Sequence, residues 1–206
     1  MRRLVPCVLS LLSACAGAAA GDFSAAPSGT PGLKANSVFV FGGPFTTGYM
    51  GQSIVPFLGG LEGTVIAGAA YQRHLHETPR GFRLGSEFGM AGRLGAASSA
   101  EFWMGISLGY RGVKLGPVVV STQLVAGFSV VTGPSAMENY RNQEYAGGNG
   151  DPTLLYYLGP EVALRSAARP DLEYVYRLHH RSGGWHTLGN MRGGNNAQVF
   201  GLRWRF

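Results

Sequence analysis

The stretch FRLGSEFGMAGRL, residues 82–94, decides the fold. Its even positions carry Phe82, Leu84, Phe88, Met90 and Leu94, and its odd positions carry Arg83, Glu87 and Arg93. Alternation with period two places successive side chains on opposite faces of a β-strand. One face is therefore apolar and aromatic, and the other holds every charge of the segment.

The same parity recurs along the chain. Phe102, Met104, Ile106, Leu108 and Tyr110 oppose Glu101; Leu154, Tyr156, Leu158, Val162 and Leu164 oppose Glu161 and Arg165. Leu172, Tyr174, Tyr176 and Leu178 oppose Glu173, Arg177 and Arg181, and Phe200, Leu202, Trp204 and Phe206 oppose Arg203 and Arg205. Turn chemistry divides the chain into eight candidate strands at 37–43, 63–75, 82–94, 100–110, 118–131, 153–165, 172–182 and 196–206.

A soluble sandwich also alternates, but its polar face meets water and is rich in Lys, Thr and Glu. Here no lysine follows Lys114, and the polar face mixes Arg and Glu with Gly and Ala. That composition suits a small closed interior in which Arg83, Glu87, Glu101, Glu161, Arg177 and Arg203 pair with one another. An even strand count, strand lengths near ten and aromatics at strand ends predict an all-β fold, an eight-stranded antiparallel transmembrane β-barrel of the bacterial outer membrane. Eight strands leave an interior about filled by side chains, which argues against a pore.

The remaining segments agree with export. Arg2 and Arg3, the apolar run 4–12 and Ala18, Ala19 and Ala20 form a signal peptide over 1–20. Leu12, Ser13, Ala14 and Cys15 offer a lipoprotein cleavage box as the rival reading. Residues 21–36 form a Pro/Gly-broken flexible leader, and 37–206 the barrel domain. Both cysteines, Cys7 and Cys15, lie in the signal segment, so no disulfide supports the barrel. Without Arg2 and Arg3, 15 of the 17 basic residues stand against 11 acidic ones, an excess too small for a nucleic-acid partner. The expected partners are the outer-membrane lipid bilayer and, through the aromatic C-terminal Phe206, the barrel-assembly machinery.

With both termini periplasmic, the surface loops are 44–62, 95–99, 132–152 and 183–195. The periplasmic turns are 76–81, 111–117 and 166–171. Parity then places His180 and Ser182 on the outer wall at the surface end of the seventh strand, with Asn196 and Gln198 beside them on the eighth. His179 faces the lumen. Residues two apart on a strand lie about 7 Å apart at Cα, close enough for an imidazole to serve as general base to a serine hydroxyl. Gly183 and Gly184 are candidate oxyanion donors. A metal site from His179, His180 and His186 is disfavoured because the first two point to opposite faces, and the chemistry expected of the pair needs neither metal nor cofactor.

His180, Arg181 and Ser182, with the closing GLRWRF at 201–206, resemble the lipid A 3-O-deacylase (PagL) family of outer-membrane esterases. The resemblance is specific only over 176–206. It implies a barrel whose outward His and Ser cleave an ester-linked acyl chain of lipid A, the membrane anchor of lipopolysaccharide, with His180 as base and Ser182 as nucleophile. The family's third catalytic member is an acid downstream of the serine. No Asp or Glu follows Glu173 here, so Asn196 is the stand-in, an orienting role that amides fill in Cys–His–Asn sites. The alternative function is a non-catalytic barrel that binds an envelope or surface partner through its extracellular loops.

Overall fold

The computed structural model describes residues 34–95 and 98–206. The signal segment 1–20 and leader residues 21–33 lie outside the described residues. Eight strands follow in order: β1 (Asn36–Thr46), β2 (Leu61–Glu77), β3 (Phe82–Leu94), β4 (Ser99–Leu115), β5 (Val118–Val131), β6 (Leu154–Ser166), β7 (Leu172–Ser182) and β8 (Gly194–Arg205). Each pairs antiparallel with the next, and β8 closes on β1 through pairs such as Val38 with Trp204 and Gly42 with Phe200. Closure leaves no unpaired strand edge.

Parity orders the whole wall. Along β3 every odd residue is buried and every even one exposed. The exposed set, including Phe88, Met104, Ile106 and Trp204, forms an apolar belt. The interior is packed by Phe39, Trp103, Tyr157 and Val199 between two layers of ion pairs. Arg177 joins Glu87 and Glu161, each at 2.7 Å, and Arg203 joins Glu161 and Glu173 at 2.7 and 3.2 Å. Arg83 pairs with Glu77 at 2.7 Å and Arg93 with Glu101 at 2.7 Å. Charges taken out of water need such partners, because an isolated one costs far more than any packing returns.

Several strands run further than the sequence pattern indicates. β4 continues to Leu115 because a bulge between Tyr110 and Val113, with Gly112 at φ 112°, resets its parity. The periplasmic turn expected over 111–117 thus shrinks to Gly116 and Pro117, with Gly116 at φ 60°. At the opposite end, the one expected at the cell surface, the strands are joined through 47–60, 132–153 and 183–193 and across the short step between β3 and β4.

Two of these loops contain helices, α1 (Met50–Ser53) and α2 (Ala136–Ala146). Ser135 caps α2 in a reciprocal box with Glu138, and Gly147 ends it in a left-handed conformation at φ 58°. Glu138 turns into the mouth of the barrel and is fully buried. It pairs there with Arg181 and, at 3.0 Å, with Arg93. Helix α2 therefore plugs the barrel's outer end by a charge-matched contact.

Candidate active site

Strand β7 sorts its residues between two environments. Glu173, Val175, Arg177, His179 and Arg181 are buried in the lumen. His179 Nε2 lies 2.9 Å from Glu101 Oε1, and Tyr157 Oη lies 3.2 Å from its Nδ1. His180 and Ser182 take the other face, where His180 pairs across the sheet with Leu158 and Asn196, and Ser182 with Tyr156 and Gly194.

On that outer face His180 Nδ1 donates to Asn196 Oδ1 at 2.6 Å. Asn196 Nδ2 donates to the Gly48 carbonyl at 2.8 Å. The second bond fixes the orientation of the amide, because a carbonyl can only accept. Asn196 Oδ1 must then face the imidazole, and only a protonated Nδ1 can donate to it. In the neutral imidazole Nε2 is then the nitrogen without a proton, the state a general base requires.

Ser182 ends β7 and accepts a hydrogen bond at Oγ from Gly184 N–H at 3.0 Å. The two glycines behave differently. Gly183 N–H donates to the Gly193 carbonyl at 3.2 Å, so it is committed to closing the loop and cannot serve a reacting oxygen. Gly184 N–H points at the serine.

The polar cluster is also more enclosed than parity alone implies. Asn196 and Gln198 do not face lipid; both are fully or almost fully buried. The loop 47–60 folds down over the outside of β7 and β8 and covers them. Gln198 Nε2 donates to the carbonyls of Ser53, Val55 and Leu58, and its Oε1 accepts from Phe57 N–H.

His180 and Ser182 open into a cleft of about 440 Å³. Its walls are Tyr49, Met50 and Gly51 from the first loop, Arg141 and Tyr145 from α2, and Trp185, Arg192 and Gly193 from the last loop. Arg141 donates to the carbonyls of Gly194 at 2.6 Å, Gly48 at 3.0 Å and Thr47 at 3.3 Å. Its guanidinium also sits 5.0 Å from the Tyr49 ring centroid, and that of Arg192 lies 5.2 Å from the Tyr145 ring. The Tyr49 and Tyr145 hydroxyls hydrogen-bond across the cleft, which pushes the Tyr145 phenol up to about 12. None of these wall residues was marked by sequence, since their partners are main-chain carbonyls and rings from distant loops.

No family model matches the chain, and no curated protein sequence does either. Among solved structures, the outer membrane enzyme PagL is similar over 82% of this chain and 99% of its own, at 14% identity and a TM-score of 0.51. A de novo designed transmembrane β-barrel matches 84% of this chain and 97% of its own, at 16% identity and a TM-score of 0.48. Neisserial surface protein A (NspA) matches 84% and 96%, at 10% identity and a TM-score of 0.45. The chain is an outer-membrane β-barrel. At 14% identity the likeness to PagL is one of fold, and this barrel's chemistry has to be argued from its own residues.

Proposed function

We propose that this outer-membrane barrel hydrolyses an acyl ester of an outer-leaflet lipid, with lipid A of lipopolysaccharide as the substrate its resemblance to the PagL family implies. The observation that carries the proposal is the 2.6 Å bond from His180 Nδ1 to Asn196 Oδ1, with the amide locked by Gly48. An oriented, singly protonated imidazole two residues from a serine at a membrane rim is an arrangement a purely structural strand end does not need.

In the proposed reaction His180 Nε2 takes the Ser182 hydroxyl proton as Oγ attacks the ester carbonyl. Gly184 N–H, which donates to Ser182 Oγ at rest, is the donor that turns to the tetrahedral oxyanion as Oγ becomes an ester oxygen. Collapse breaks the bond to the sugar oxygen, which leaves as an alcohol with the proton returned by His180. Water, deprotonated by the same nitrogen, then cleaves the acyl-serine and releases the fatty acid. General-base assistance of this kind contributes roughly 100- to 10,000-fold. The cleft, with Trp185 exposed on its wall, receives the headgroup, and the apolar belt below delivers the acyl chain.

The test is mass spectrometry of lipid A from cells producing the wild-type chain or Ser182→Ala. The expected result is loss of one acyl chain with the wild type and none with the variant, both barrels showing the same heat-modifiable gel mobility. No mass change with the wild type, where a known deacylase produces one, would favour a binding barrel acting through loops 47–60 and 132–153.

A further inference from the structure

The loop 47–60, within the surface loop expected over 44–62, carries a surface that does not suit water. Its outward side is Ile54, Val55, Phe57 and Leu58, exposed by 40%, 44%, 85% and 52%. On its inward side, barrel side chains hydrogen-bond its backbone. Gln198 meets three carbonyls and one N–H, and Tyr176 Oη donates to the carbonyls of Ser53 at 3.2 Å and Ile54 at 3.1 Å. An irregular segment in water needs no such service, because water satisfies it. In hydrocarbon each unsatisfied backbone group is costly, and irregular backbone persists only where protein groups meet it.

The level of the loop points the same way. The Phe57 ring stacks on Phe200, centroids 5.5 Å apart and planes 14° apart. Phe200 lies four residues down β8 from Asn196, about 13 Å along the strand. Across the wall, Ser182 pairs with Tyr156, and the exposed Leu154 and Val130 lie still nearer the outer rim. The apolar belt thus rises past the level of Ser182, while the loop hangs below it. A Gln in the middle of a lipid-facing strand is otherwise out of place.

We propose that residues 49–58 form a strap immersed among the acyl chains of the outer leaflet, anchored to the barrel wall by Gln198 and Tyr176. The occupant of its apolar side is lipid, continuous with the lipid that surrounds the rest of the belt. Phe57 holds a left-handed backbone at φ 65°, which aims its ring at Phe200 and its N–H at Gln198. The proposal rests on the fold and stands whether or not Ser182 is a nucleophile.

Nitroxide labels test it in a full-length chain whose two cysteines, Cys7 and Cys15, are replaced by Ser. Labels are placed singly through Phe57→Cys, Leu58→Cys and, as a control in the exposed loop after α2, Asn149→Cys. The barrel is reconstituted in phosphatidylcholine vesicles, and relaxation by oxygen, which enters lipid, is compared with relaxation by a water-soluble nickel chelate. The expected result is loss of nickel relaxation at 57 and 58, with strong oxygen relaxation, and full nickel relaxation at 149. Nickel relaxation at 57 and 58 equal to that at 149 would overturn the proposal. So would dipolar broadening between labels that disappears on dilution with unlabelled protein, since it would make a second copy the occupant. Adding Gln198→Ala to the label at 57 should restore nickel access in barrels that keep heat-modifiable mobility. Unchanged protection there would refute Gln198 as the anchor, and the measurements without that variant stand even if it fails to fold.

Discussion

Replacing Glu138 by Ala should undock helix α2 without opening the barrel. Glu138 Oε2 meets Arg93 at 3.0 Å and the Ser135 N–H at 2.8 Å, and Oε1 meets Arg181. Removing one member of a buried ion pair costs about 3–5 kcal/mol because the charge left behind has no partner. Here the lower end applies. Arg93 keeps Glu101 at 2.7 Å, and Arg181 keeps Glu101 at 3.6 Å and Ser129 Oγ at 2.9 Å. Loss of the capping box adds about 1 kcal/mol, for a total of about 4 kcal/mol.

Water can relieve the stranded arginines once α2 swings away, so the loss is expressed in the local opening of α2 and the sheet survives. At about 1.4 kcal/mol per tenfold, the opening constant rises on the order of 1,000-fold. Hydrogen exchange of amides 139–146, followed by mass spectrometry in micelles, reads it directly. Exchange faster by less than tenfold, with the barrel intact, would mean that the Glu138 pairs do not hold the helix. Glu138→Gln should fall between, since it keeps an acceptor and loses the charge.

Three further outcomes follow from the same geometry. Asn196→Ala should lower kcat of the proposed hydrolysis about 10- to 100-fold with KM unchanged, the equivalent of about 1–3 kcal/mol for an orienting bond to a buried group; kinetics on purified lipid A would expose an unchanged kcat, which would remove Asn196 from the site. His179→Ala should leave turnover within about twofold while lowering the urea midpoint, because it strips Glu101 of a buried partner on the lumen side; a large loss of turnover would contradict the division between lumen and outer wall. Arg177→Ala leaves Glu87 and Glu161 without their shared cation and should cost about 3–5 kcal/mol in urea unfolding; a loss under about 1 kcal/mol would mean the interior is wetter than its packing implies.

The barrel was legible because parity is a local signal. In β3 and β8 the charge on alternate residues alone separates lumen from lipid. Strand ends were not legible where that signal breaks. After Gly112 the bulge shifts the phase, so 113–115 reads as part of a turn although it pairs with β5. Helix α2 falls in the stretch 132–152 expected only as a loop, although Ser135 and Glu138, three residues apart, and Gly147 fit a helix start and stop. Its inward Glu, however, depends on Arg93 and Arg181 converging from two other strands. The parity of Asn196 and Gln198 was legible as well. Their burial was not, because the segment that covers them lies some 140 residues earlier, and no local pattern announces which loop folds over which wall.

The amide at 196 follows from the same covering loop. Its position is fully buried, with the Gly48 carbonyl 2.8 Å from Nδ2 on one side and the imidazole 2.6 Å from Oδ1 on the other. A carboxylate there would set an acceptor against the Gly48 carbonyl and bury a charge with no cation in contact, since Arg141 is already committed to carbonyls. An amide satisfies both neighbours without charge. Arg141 in turn holds Gly48 in place, and Arg141 stands one helical turn from Glu138, which is pinned in the lumen. A run of contacts through Asn196, Gly48, Arg141 and α2 thus links His180 on the outer wall to the Glu138 ion pairs in the lumen. In the proposed reaction, what the amide cannot do is stabilise the imidazolium formed when Ser182 gives up its proton. A site built this way would keep the tautomer the proposed reaction needs and forgo the counter-charge, and the loop 47–60 that buries Asn196 favours an uncharged group there.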